Sequence, residues 1–101
     1  MDCIYNVYDD IGFEWDIVKA KSNMEKHGVS FEEAASAFFD PEALYLADTN
    51  HSAAEERFYL IGLSDKTRLL IVSHCYRNAE RIRIISSRKA TATEAKYYEN
   101  K

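Results

Sequence analysis

Three short stretches of the chain carry residue types able to work on a phosphodiester. Lys26 and His27 stand side by side. An imidazole titrates near neutral pH and can move a proton, while a neighbouring ammonium can hold or polarise a phosphate oxygen. His51, Glu55 and Arg57 form a second set, in which a carboxylate and a guanidinium can position a 2′-hydroxyl and its phosphate. Arg81-Ile82-Arg83-Ile84 alternates with period two, so both guanidinium groups share one face of a strand and both isoleucines the other. Arg88 and Lys89 extend the positive charge past that strand. Guanidinium groups stay charged at any working pH and grip phosphate through two parallel bonds, which suits a phosphorane-like transition state stabilised without a metal. Trp15 and the tyrosines offer faces on which RNA bases can stack.

Structural roles compete for each of these residues. Cations such as Lys26 and His27 are favoured at a helix C-terminus by the backbone dipole alone. Arg81 suits an exposed strand edge, and His51, Glu55 and Arg57 suit a polar loop with weak surface ion pairs. Trp15, at the start of an amphipathic helix, fits core packing better than base stacking. His74 lies within an apolar strand pattern and reads as a hydrogen-bonded core histidine.

The elements that must position these groups are marked by their ends. Asp16 is a good N-cap for a helix running to His27, and Gly28 supplies a left-handed stop. Trp15, Ile17, Val18, Ala20 and Met24 are expected to form its buried face. Ser30 with Glu33 has the spacing of a capping box, with Val29 and Ala34 in staple positions, and Asp40-Pro41 ends this second helix. The period then changes to that of strands over residues 43–47, 57–63, 69–76 and 81–86, separated by polar turn segments, of which those at 64–67 and 77–80 are short enough for hairpins. Leu69-Leu70-Ile71-Val72 is apolar on both faces and predicts a central strand. Thr91 with Glu94 opens a last helix. Residues 4–14 read as one or two further short strands. The expectation is an α+β fold of two N-terminal helices, an antiparallel β-meander of about four strands and a C-terminal helix, forming one domain over residues 1–101.

Composition narrows the function. At 101 residues and 47% hydrophobic content the chain can bury one core. No apolar run has the length of a signal peptide or a membrane span, which predicts a cytoplasmic location and no membrane partner. Cys3 and Cys75 fit no metal-ligand spacing, and no glycine-rich phosphate loop, nucleophile elbow or His/carboxylate metal cluster occurs, so no metal or cofactor is expected. The net charge of −4 hides an asymmetry: residues 1–56 carry thirteen acidic against three basic side chains, and residues 57–101 four against ten. Such polarity suits a basic half that meets phosphate or an acidic partner, and equally a solvated surface.

Taken in order, Phe13-x-Trp15-Asp16, Lys19, Asn23-x-x-Lys26-His27-Gly28-Val29-Ser30-Phe31-Glu32-Glu33-Ala34, Asp40-Pro41, His51-x-x-x-Glu55-x-Arg57, Ile61-Gly62 and Arg83-Ile84-Ile85-Ser86-x-Arg88-x-Ala90 resemble the BrnT family of toxins. The resemblance implies a fold similar to RelE-type ribonucleases and metal-independent RNA cleavage that blocks translation. It also implies a hetero-oligomer with a BrnA-type ribbon-helix-helix antitoxin, through which alone the complex would reach operator DNA. Carried over position by position, it places the basic determinants on Lys26, Arg57 and Arg88, with His27 and His51 at further motif positions. Proton transfer then falls to Lys26 or His27 and charge stabilisation to Arg57 and Arg88, to which the alternating strip, not the resemblance, adds Arg83. Arg81, Lys89, His51 and Trp15 complete the expected RNA-binding set. The acidic first half and the extension before Phe13 depart from the family pattern. The competing expectation is a chain of the same fold that no longer cleaves and serves as co-repressor with its antitoxin.

Overall fold

The computed structural model describes residues 11–50, 55–78 and 80–101 in full and the backbone of residues 3–8. Strands β1 (Cys3–Tyr8) and β2 (Ile11–Asp16) form an antiparallel pair that leads into α1 (Ile17–His27), α2 (Phe31–Ser36) and a 3-10 turn at Ala37–Phe39. Strands β3 (Leu44–Asp48), β4 (Arg57–Leu63), β5 (Leu69–Asn78) and β6 (Arg81–Lys89) follow, and α3 (Ala92–Glu99) comes last.

The helices begin and end for the reasons the sequence gives. The Asp16 carboxylate accepts from the Val18 and Lys19 amides, and Gly28, at φ 67°, closes α1 in the left-handed region. The Thr91 hydroxyl and the Glu94 carboxylate cap each other's backbone at the start of α3. At α2 only half of the expected capping box forms. Ser30 Oγ accepts from the Glu33 amide, but the Glu33 side chain turns away to Ser64 Oγ at 2.7 Å and to the Arg68 guanidinium. A carboxylate this buried gains more from two strong donors than from one backbone amide. The Arg68 guanidinium beside it holds the Glu33 carboxyl below its usual range. The pair thereby ties α2 to the turn between β4 and β5.

All strands belong to a six-stranded sheet in the order β1-β2-β6-β5-β4-β3. The meander β3 to β6 is antiparallel and β5 lies inside it, as the double-sided apolar run predicts. The strand count is where the sequence expectation falls short. β1 and β2 add to the meander, and β2 runs parallel to β6 over Gly12 to Glu14, which makes the sheet mixed. α1 and α2 lie on one side of the sheet, over a core of Phe13, Trp15, Val29, Phe31, Ala34, Leu60, Leu70, Val72, Ile82 and Ile84, while α3 sits on the other face beside Leu46, Ile61 and Ile71. Burying these side chains is the main favourable term holding the layers together.

The expected buried face of α1 is also corrected. Ile17, Val18 and Met24 are exposed, Val18 at 69%, and Asn23 is the buried residue of the helix. The reason is positional. β2 ends at Asp16, leaving the later edge of β6 uncovered, and α1 lies along that edge. Asn23 closes it: Nδ2 donates to the Ser87 carbonyl at 2.8 Å and to Val29 at 3.0 Å, while Oδ1 accepts from the Ser87 amide at 3.0 Å. One side-chain amide thus supplies the donor and acceptor that another strand would have supplied.

Candidate active site

On the sheet face away from α1 and α2, register aligns the side chains in three rows. The first runs Asp48, Arg57, Cys75, Arg83 and Glu14; the second Leu46, Tyr59, Ser73 and Ser86; the third Leu44, Ile61, Ile71 and Arg88. Neighbouring strands lie about 4.8 Å apart and alternate residues about 6.8 Å. The backbones of Arg57 and Arg83 are therefore roughly 10 Å apart, with the hydroxyl row between them and Arg88.

A bulge makes this face. Arg83 and Arg88 are five residues apart, an odd spacing that would put them on opposite faces of a regular strand. Ser73 pairs with Ser86 while His74 pairs with Ile84, so Ile85 is an extra residue in β6 and resets the alternation. Arg88 consequently joins Arg81 and Arg83, whereas Lys89, paired with Leu70, falls on the other side of the strand at its exposed rim.

The charges are partly neutralised in place. Glu14 receives Arg83 Nη1 at 2.6 Å, Arg81 Nε at 3.5 Å and Arg77 Nε at 3.9 Å. Arg88 makes a fork-on-fork pair with Glu94 at 2.7 and 2.8 Å. That bond is the main reason the Glu94 carboxyl is pulled down to about 2. The Tyr59 phenol donates to Asp48 and feels the charges of both Arg57 and Arg88; burial foremost, then Asp48, raises its pKa. It is held protonated between two arginines, with its one O–H given to the Asp48 carboxylate.

Lys26 and His27 end α1 and are exposed. They line a groove of about 180 Å3 with Lys19, Ser22, Asn23, Ile85 and Ser86. Arg88 instead lines a cavity with Tyr59 and Ile71. Ser86 is the link, since it ends the hydroxyl row and also borders the groove of Lys26 and His27.

One expected site residue is contradicted. Trp15 is 1% exposed and meets Phe31 edge-on at 5.9 Å, so its ring packs the core and presents no face to a base. His51 lies outside the described residues. His74 is fully buried among Phe38, Tyr45, Phe58 and Tyr76, with Nδ1 3.1 Å from the Val72 carbonyl, and burial lowers its pKa. Sequence reasoning missed Tyr59, Glu14 and Glu94. The alternation of β4 carried a signal for Tyr59, which stands two residues from Arg57; the partners of the two glutamates come from distant strands or from across a turn. Among the described residues, no group of three His, Cys, Asp or Glu side chains is placed to hold a metal, and no helix is long and apolar enough to cross a membrane.

Residues 15–94 match the family described as ribonuclease toxin, BrnT, of type II toxin-antitoxin systems. The chain belongs to this BrnT toxin family, and a toxin of such a system has an antitoxin for a partner. Among solved structures, the 1.1 Å crystal structure of the Brucella abortus ribonuclease toxin BrnT is similar in fold. Its TM-score is 0.59 at 24% identity, covering 76% of this chain and 92% of that one. No curated protein sequence matches the chain.

Proposed function

We propose that this toxin is a metal-independent endoribonuclease that blocks translation in the cytoplasm and is silenced by a BrnA-like ribbon-helix-helix antitoxin. On this reading it acts as one domain over residues 1–101, with a fold of RelE type. The observation that carries the reading is the gathering of Arg57, Arg83 and Arg88 around the Tyr59, Ser73 and Ser86 hydroxyls on the sheet face away from α1 and α2. A scissile phosphate over the hydroxyl row meets a guanidinium on either side. The ribose 2′-oxygen attacks phosphorus in line, the bond to the 5′-oxygen breaks, and a 2′,3′-cyclic phosphate is left. Lys26 or His27 moves the proton between the attacking and leaving oxygens from the groove beside Ser86. Arg57, Arg83 and Arg88 stabilise the charge that gathers on phosphorus-bound oxygen. Arg81 and Lys89 add longer-range attraction for the RNA backbone. Operator DNA is reached only through the antitoxin, in a hetero-oligomer with it.

A second reading has support in the ion pairs. Arg81 and Arg83 already share Glu14, and Arg88 is held by Glu94, which suits a non-cleaving co-repressor that uses these arginines structurally. Amino-acid incorporation within minutes of inducing the chain alone in growing bacteria separates the two. A prompt collapse, abolished by Arg88→Ala and reversed by antitoxin, is the toxin's signature. Normal incorporation by soluble, folded protein would leave the co-repressor reading.

A further inference from the structure

Between the sheet and α3 lies a cavity of about 280 Å3 whose lining differs from the rest of the cationic face. Its floor is Leu46, Ile61 and Ile71, its walls are Tyr59 and Tyr97, and Arg88 with Glu94 closes one end. The volume takes one flat ring system rather than a drug-sized molecule. Apolar floor, aromatic wall and a guanidinium at the rim are the three features that receive a base and its phosphate together.

The way α3 is held supports this use. None of its residues is buried. Tyr97 is 64% exposed, and the helix is tied down by Glu94 on Arg88, by Tyr98 Oη donating to Asp40 at 2.7 Å and by Lys101 beside Glu42 at 3.5 Å. Polar ties of this kind exchange readily for others of the same sign. The Glu94 carboxylate, with both oxygens on the Arg88 guanidinium, presents the planar two-oxygen anion that a phosphate would present.

Resting on the RNA-cleaving reading above, we propose that this cavity is a nucleobase subsite. One base lies on Leu46, Ile61 and Ile71 against the ring of Tyr97, and the phosphate of that nucleotide takes the place on Arg88 that Glu94 holds in the structure. Tyr97 is then a specificity-determining residue and Glu94 a competitor for the anion site. Tyr97 lies beyond the stretch 15–94 that matches the family, so the subsite includes a wall the family match does not supply.

Binding of two fluorescein-labelled probes to the full chain tests this. One is a 2′-O-methyl RNA, which lacks the attacking hydroxyl; the other is an abasic ribose-phosphate oligomer of equal length. Tyr97→Ala should weaken the base-bearing probe roughly five- to a hundredfold and leave the abasic one unchanged. Tyr97→Phe should restore binding. Glu94→Gln, which keeps a capping side chain on α3 but removes the charge, should tighten both probes. If Tyr97→Ala leaves both probes unchanged or weakens both alike, the subsite is wrong while the RNA reading stands; loss of antitoxin binding in that variant would instead give the cavity to the partner protein. If neither probe binds wild type or Glu94→Gln, the RNA reading fails and the subsite with it.

Discussion

Replacing Asn23 should unfasten the face from its support. The side chain makes three hydrogen bonds in a site only 6% exposed, two of them to the Ser87 backbone at the open edge of β6. Each such bond is worth about 1 kcal/mol net, and a buried amide left without an acceptor costs about 1–3 kcal/mol. Asn23→Ala should therefore destabilise the fold by about 3 kcal/mol, a drop in Tm of roughly 10–20 °C for a domain of this size. Asn23→Asp keeps the acceptor for the Ser87 amide but sets a carboxylate against the carbonyls of Val29 and Ser87. Its ionised form is disfavoured in the folded state, so its folded pKa rises. A raised carboxylate pKa leaves stability present at acid pH and removes it as pH climbs through the carboxylate range. Asn23→Asp should accordingly lose more stability at pH 8 than at pH 4, whereas the loss in Asn23→Ala should not follow that titration. Urea unfolding at the two pH values reads both effects as midpoint shifts at constant slope. A shift in Asn23→Ala of under about 0.5 kcal/mol would refute the edge-closing role.

Two further changes probe the fold around the site. A Cβ on Gly62 would lie 2.7 Å from the Ala37 carbonyl oxygen and 2.8 Å from Leu60 Cδ2; Gly62→Ala should cost about 1–3 kcal/mol in urea unfolding, and an unchanged midpoint would contradict that packing. His74 is buried with a lowered pKa, so the unfolded chain takes up its proton first, near pH 6.5. That contribution is intact above pH 6.5 and is lost as pH falls toward the folded value. His74→Phe, which keeps a ring against Phe38 and Phe58, should show a smaller fall in Tm between pH 7 and pH 5 than wild type. Equal falls would show that His74 is not the group responsible.

Local signals made most of the elements legible. Asp16, Gly28, Ser30 and Thr91 stop or start helices through bonds to their nearest neighbours, and the short turns after β4 and β5 fix β4, β5 and β6 as sheet partners. What escaped depends on residues distant in sequence. Nothing near Phe13 announces a parallel pairing with Ile82, and without that pairing neither the mixed sheet nor the Glu14 bond to Arg83 follows. The apolar spacing of α1 suggested a buried face, yet its place on the sheet edge buries an asparagine and exposes Ile17, Val18 and Met24. Alternation correctly joined Arg81 to Arg83. Bringing Arg88 to the same face required the extra residue Ile85, which period-two reasoning cannot supply. Glu94 was legible as a capping residue, but its oxygen serves the Thr91 amide and Arg88 together.

RNA cleavage by the purified chain in excess EDTA, comparing wild type with Arg88→Ala and Arg57→Ala, tests the metal-free site most directly. Wild type should give fragments ending in 2′,3′-cyclic phosphate, and either folded variant should cleave at least about a hundredfold more slowly, the loss expected when one group that stabilises transition-state charge is removed. Cleavage that EDTA abolishes, or that persists at the wild-type rate in both variants, would contradict a metal-free site on the arginine face.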